Sequence, residues 1–112
     1  GISSRQASVA LIEDDARAHR APYRFGWITP ATRGWSRRVH RGDGVVLFGR
    51  GVHVETVRSV AWPYRKLGLL VTDGGNTSAG NVGSQDNGGG SFRRIRRISD
   101  VHGFALADYP DR

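Results

Sequence analysis

The chain has no cysteine, no methionine and one lysine, Lys66, among 112 residues. Lacking cysteine, it has no disulfide, no thiolate metal site and no cysteine nucleophile, and its redox compartment is not legible. No apolar run approaches the roughly 18 residues that cross a bilayer as a helix, and the first 20 residues hold no apolar signal core, so no membrane partner is expected. His19, His40, His53 and His102 are isolated and no HxH or HExxH spacing occurs, so neither a metal nor another cofactor is expected. Glu13-Asp14-Asp15 reads as a solvated turn. The glycine-rich segment lacks the Gly-Lys-Ser/Thr ending of a phosphate-cradling loop. These absences leave no catalytic residue to name and no small-molecule substrate to expect.

What is present is arginine. The formal net charge is +7, from 17 basic residues against 10 acidic ones. The charge is unevenly placed: residues 21–41 hold Arg24, Arg33, Arg37, Arg38 and Arg41, and residues 92–99 hold Arg93, Arg94, Arg96 and Arg97, with no acid in either stretch. A localised positive field suits a polyanion, and single-stranded RNA or DNA is the expected partner. With 38% hydrophobic residues, a chain of 112 suits one compact domain over 1–112 that buries about two-thirds of its unfolded surface.

The order of elements is mainly β. Ser8–Ile12 reads as a buried strand, although residues 4–19 are good helix formers with Ser4 as a cap, and helix competes there. Tyr23–Ile28 alternates aromatic with small or polar residues and reads as a second strand ending before Pro30. Val45–Val60, interrupted by Gly49 and Gly51, is a long bent strand or a hairpin. Leu67–Val71 reads as a further strand and Phe104–Leu106 as a final strand or packing segment. Residues 74–91 hold only one aliphatic side chain larger than alanine, too little to offset ordering entropy, and are expected to form a mobile loop. After it, Phe92, Ile95, Ile98 and Val101 recur every third residue, which predicts a helix over 92–102. Arginines at its start and Asp100 at its end oppose the helix dipole. A small sheet that must hide its edges is expected to curl into a barrel.

The segment Val39-x-Arg41-Gly42-Asp43-x-Val45-Val46-Leu47-Phe48-Gly49-Arg50 resembles the "basic-Gly-polar, apolar strand, Gly-Arg" stretch of single-stranded-DNA-binding proteins with the oligonucleotide/oligosaccharide-binding (OB) fold. Ser8–Ile12 looks like that family's first strand and Phe25–Thr29 like its second, so the likeness covers about residues 7–73. It departs at 32–41, where the family has a third strand and usually a helix, and at Glu13, where it has glycine. A narrower likeness is to the OB-fold subunits of kinetoplastid mitochondrial RNA-editing complexes. The resemblance implies a small OB-like β-barrel that binds single strands, RNA in particular, alongside other OB-fold subunits, and an intracellular, mitochondrial setting.

Single strands are held by aromatic faces, worth about 1–3 kcal/mol per stacked base, and by cations along the phosphates. Candidates are Arg24, Arg33, Trp35, Arg37, Arg38, Arg41 and Arg50 on one stretch, and Trp62, Tyr64, Arg65 and Lys66 in an expected loop between late strands. Arg93, Arg94, Arg96 and Arg97 would form the solvent side of the predicted helix and are candidates for partner binding. Two alternatives stay open: a scaffold module that mainly holds other subunits, and a small basic ribonuclease with His40 or His53 as base and arginines steadying the phosphorane.

Overall fold

A computed structural model describes residues 4–75 and 91–108 of the chain. Helix α1 (Ser4–Arg17) opens it. Val9, Glu13 and Ala16 are buried at helical spacing, while Leu11 is 55% exposed. The strand expected over 8–12 is therefore replaced by the helix that competed with it. A four-residue apolar run fits either period. The continuation from Glu13 to Arg17, which contains no β-branched residue, decides for helix.

The rest of the chain is mainly β. Strands β1 (Gly26–Ile28), β2 (Gly44–Leu47), β3 (His53–Ser59), β4 (Leu69–Gly75), β5 (Ser91–Arg97) and β6 (Val101–Leu106) form one sheet in the order β1-β6-β2-β3-β4-β5. Every ladder in it is antiparallel. One-turn helices α2 (Trp35–Arg38) and α3 (Trp62–Arg65) fill two connections, and a 3-10 turn, Ile98–Asp100, joins β5 to β6. The stretch 32–41 thus holds a single helical turn, and the loop expected around Trp62 is α3, begun by Pro63 in its first turn. The mobile loop expected over 74–91 lies for the most part, at 76–90, outside the described residues.

The helix expected over 92–102 does not form: β5 runs for 7 residues beside β4, from Ser91 opposite Gly75 to Arg97 opposite Leu69. An apolar residue at every third position does not by itself select a helix. On a strand, Phe92 and Ile95 fall on opposite faces, the unfavourable dipole charges vanish, and Arg94 and Arg96 turn to the same side.

The stretch from Arg41 to Arg50 is a strand with a turn at each end. Gly42 (φ 96°) donates its N–H to Val57 O (2.7 Å), and Gly49 (φ 124°) sits in the hairpin connection to β3, so the hairpin and not the bent strand is what forms. Between them Asp43 is fully buried. Its carboxylate accepts the N–H of His40 (2.7 Å) and of Ala107 (2.9 Å), tying the entry of β2 to the exit of β6.

Cross-strand partners share a face. One face carries Ile28, Val45, Leu47, Val57, Leu70, Phe104 and Leu106, which with Val39 make the core, and Trp35, Val60, Ile98 and Val101 pack at its margin. The opposite face lies toward α1. There Trp27, paired with Ala105, crosses Gly103, where an added Cβ would stand 2.0 Å from its ring. Arg17 of α1 covers the same ring at 5.4 Å.

The sheet curls around the core. Three residues, Ile98–Asp100, connect β5 to β6, although those strands stand four positions apart in the sheet. A flat sheet would separate them by about 19 Å at ~4.8 Å per strand, further than a turn rising ~2 Å per residue spans. The turn is held at both ends: Phe48 N–H bonds Asp100 O and Ile98 N–H bonds Gly68 O, each at 2.8 Å. No ladder joins β1 to β5 among the described residues, so the sheet is open and closure into the expected barrel is not shown. No helix among the described residues is long and apolar enough to cross a membrane.

Candidate nucleic-acid interface

Carboxylates are distributed so that some arginines are neutralised in place and others are not. Glu13 of α1, 3% exposed, accepts from Arg17 (2.8 Å) and pairs with Arg50 (3.4 Å), and His102 Nε2 lies 2.9 Å from it. Burial works against its charge, yet the hydrogen bonds from Arg17 and His102 prevail and hold its carboxyl below the ordinary value. Arg50 also meets Asp14 at 2.9 Å. Arg20 pairs with Asp15 (3.0 Å), Arg24 with Asp108 (3.5 Å) and Arg58 with Asp73 (3.0 Å). Of the expected phosphate contacts, Arg24 and Arg50 are thus already matched by acids.

Arg33, Arg37 and Arg41 are exposed and make no salt bridge to a described carboxylate, and Arg38 is exposed on α2 beside them. Trp35 is different. Its ring stacks on Phe104 (centroids 5.2 Å apart, 12° between planes) at the margin of the core, so one of its faces is taken by packing. Trp62 is 62% exposed with the Arg65 guanidinium 5.3 Å over its ring, Tyr64 is 37% exposed, and Lys66 is exposed without a described acid.

The last turn after α3 abuts the end of β5, since Gly68 O takes the Ile98 N–H and Leu69 is registered with Arg97. The fold therefore brings the Trp62–Lys66 corner to the exposed Arg97, which the sequence separates by 30 residues. It does not put the four β5 arginines on one surface. Arg93 and Arg97 share the α1-side face with Ile95, while Arg94 and Arg96 point to the core side, which removes the common solvent face expected for them.

Those two lead to a cluster that sequence reasoning missed. Glu55 of β3, 3% exposed, accepts Arg96 Nε (2.9 Å), a second and shorter bond from Arg96 Nη2, and Thr72 Oγ1 (2.6 Å), with His53 Nε2 at 2.8 Å and Arg94 Nε at 3.6 Å. Burial raises its proton affinity, but the bonds from Arg96, Thr72 and His53 outweigh burial and bring its pKa down to about 2. Arg96 is held correspondingly more firmly protonated by Glu55. Phe48 and Phe92 flank the group, 50% and 52% exposed, with Arg96 5.6 Å from one ring and Arg94 6.0 Å from the other. The alternation His53-Val54-Glu55 does place His53 and Glu55 on one strand face. Their partner Arg96 was hidden by the helical periodicity of 92–101.

On the α1 side a cleft of about 350 Å³ opens between Ile12, Tyr23, Gly44 and Thr56. No group of three or more metal-ligating side chains occurs among the described residues. No protein family, curated protein or solved structure is matched by this chain.

Proposed function

We propose that the chain binds single-stranded nucleic acid, RNA first of all, through two exposed basic surfaces. One is the segment Arg33–Arg41; the other is the corner made by Trp62, Tyr64, Lys66 and Arg97. The observation that carries the proposal is the separation of cations into two classes. Arg17, Arg20, Arg24, Arg50, Arg58 and Arg96 each face a carboxylate, whereas Arg33, Arg37, Arg41, Lys66, Arg93 and Arg97 face no described one. Unmatched guanidinium groups beside a largely exposed tryptophan suit phosphates and an unstacked base. Such binding releases counterions, so affinity for a fluorescent oligonucleotide falls steeply between 50 and 200 mM salt, roughly in proportion to the phosphates contacted. Absence of binding at low salt refutes the proposal. Arg37→Glu with Arg41→Glu weakens binding at least tenfold if the first surface is used.

A second reading, attachment to other protein subunits, has its own support. Strand β5 is a sheet edge with Phe92 and Ile95 half or more exposed, and an unpaired edge is a template for another strand. Arg93→Glu with Arg97→Glu separates the readings: loss of co-elution with protein while oligonucleotide binding survives favours the scaffold. Of the OB-fold likeness the proposal keeps the function and the curled sheet. Barrel closure is tested by amide exchange, which would protect the β5 edge if a further ladder covers it.

A further inference from the structure

We propose that the polar mouth of the curled sheet is a subsite for one phosphorylated nucleotide, its base lying on Phe48 and its phosphate on Arg94. The proposal rests on the single-strand reading and gives it a defined place on the fold.

Phe48 is the first sign. It occupies the left-handed backbone region (φ 68°), a conformation in a hairpin connection that suits glycine or asparagine and is unfavourable for a residue with a bulky side chain. The ring placed there is half exposed. It is stacked with His53 (25°, centroids 6.2 Å) and lies 5.6 Å from the Arg96 guanidinium, so the ring is supported from within the protein while its exposed half is left for a ligand. An unfavourable conformation that presents an aromatic surface to solvent is the pattern of a binding position.

Arg94 is the second sign. Its nearest approach to Glu55, from Nε, is 3.6 Å, longer than a hydrogen bond, and its side chain is 46% exposed. The remaining N–H groups of the fork are suited to two phosphate oxygens. Glu55 does not repel the anion strongly, because its side chain is fully buried and covered by Arg96 and Thr72. With two arginines against one carboxylate, the mouth keeps a net positive charge. Phe48 and Arg94 both border the Glu55–Arg96 pair, which sets base and phosphate sites side by side.

The test is an NMR titration of the 15N-labelled full chain with adenosine 5′-monophosphate, with the dinucleotide ApA, which carries an internal phosphodiester only, and with adenosine and inorganic phosphate separately. Shifts at Phe48–His53 and Phe92–Arg96, with adenosine and phosphate each at least tenfold weaker than the nucleotide, support the subsite. Preference for ApA assigns it to a passing strand, and preference for the monophosphate to a strand end. Phe48→Asn weakens nucleotide binding about tenfold without lowering the melting temperature, and Arg94→Gln weakens it similarly. Shifts elsewhere, no shifts at millimolar nucleotide, or a Phe48→Asn variant that binds unchanged or melts lower overturn it. If long oligonucleotides still bind and respond to Arg37 and Arg41 reversal, only the subsite falls; if they do not bind, the single-strand reading falls with it.

Discussion

Replacing Glu55 by glutamine keeps the shape of the side chain and removes its charge from the point where β3, β4 and β5 meet. Its carboxylate binds Arg96 of β5, Thr72 of β4 and His53 of its own strand, and its pKa is about 2 against an ordinary 4.5. At ~1.4 kcal/mol per unit, ionisation of Glu55 contributes about 3 kcal/mol at neutral pH. The folded pKa lies below the unfolded one, so this contribution is complete above about pH 5 and fades as pH falls toward 2; near pH 3 less than half remains. Removing one partner of a buried ion pair costs about 3–5 kcal/mol by a separate route, and the two figures agree. Urea unfolding of the parent and of Glu55→Gln, measured at pH 7, 5 and 3, is therefore expected to show a gap of about 3 kcal/mol that is nearly constant from 7 to 5 and shrinks at 3. A gap that stays the same at pH 3, or is under about 1 kcal/mol at pH 7, would show that Glu55 does not hold the three strands through its charge.

Gly103→Ala drives a methyl group into the Trp27 indole, and since that contact is with the body of a packed ring, a loss of about 2–3 kcal/mol in chemical denaturation is expected. Asp43→Ala leaves two N–H groups, of His40 and Ala107, without their buried acceptor, which predicts about 3 kcal/mol lost and early amide exchange at Ala107. Trp62→Ala changes stability by under about 0.5 kcal/mol, because the ring is mostly solvent-exposed, yet weakens oligonucleotide binding by about fivefold or more in fluorescence anisotropy.

Much of the architecture was legible along the chain. The apolar run bounded by Gly42 and Gly49, a break in the strand at Gly49 and Gly51 and the strand after Leu67 all follow from local periodicity and turn chemistry, which are properties of neighbouring residues, while the structure decided that the break is a hairpin and that Phe104–Leu106 is a strand. The clustering of arginine into two acid-free stretches was equally visible. Two elements were not. Val9–Ile12 and Phe92–Ile98 each carry an apolar pattern too short or too ambiguous to choose between periods, and the choice falls to whatever surface lies opposite. For residues 4–17 that surface is the small-residue face of the sheet at Gly44 and Ala105. For 91–97 it is the free edge of β4.

The same division applies to the chemistry. Composition determines that the molecule carries surplus positive charge and lacks thiols, because those are sums over residues. Which arginines are free to meet a phosphate, and which are locked to Glu13, Glu55, Asp73 or Asp108, depends on carboxylates brought from far along the chain, 41 positions for Arg96 and Glu55 and further still for Arg24 and Asp108. Only the curled sheet makes that assignment, since ion pairing falls off within a few ångströms and is indifferent to distance along the chain.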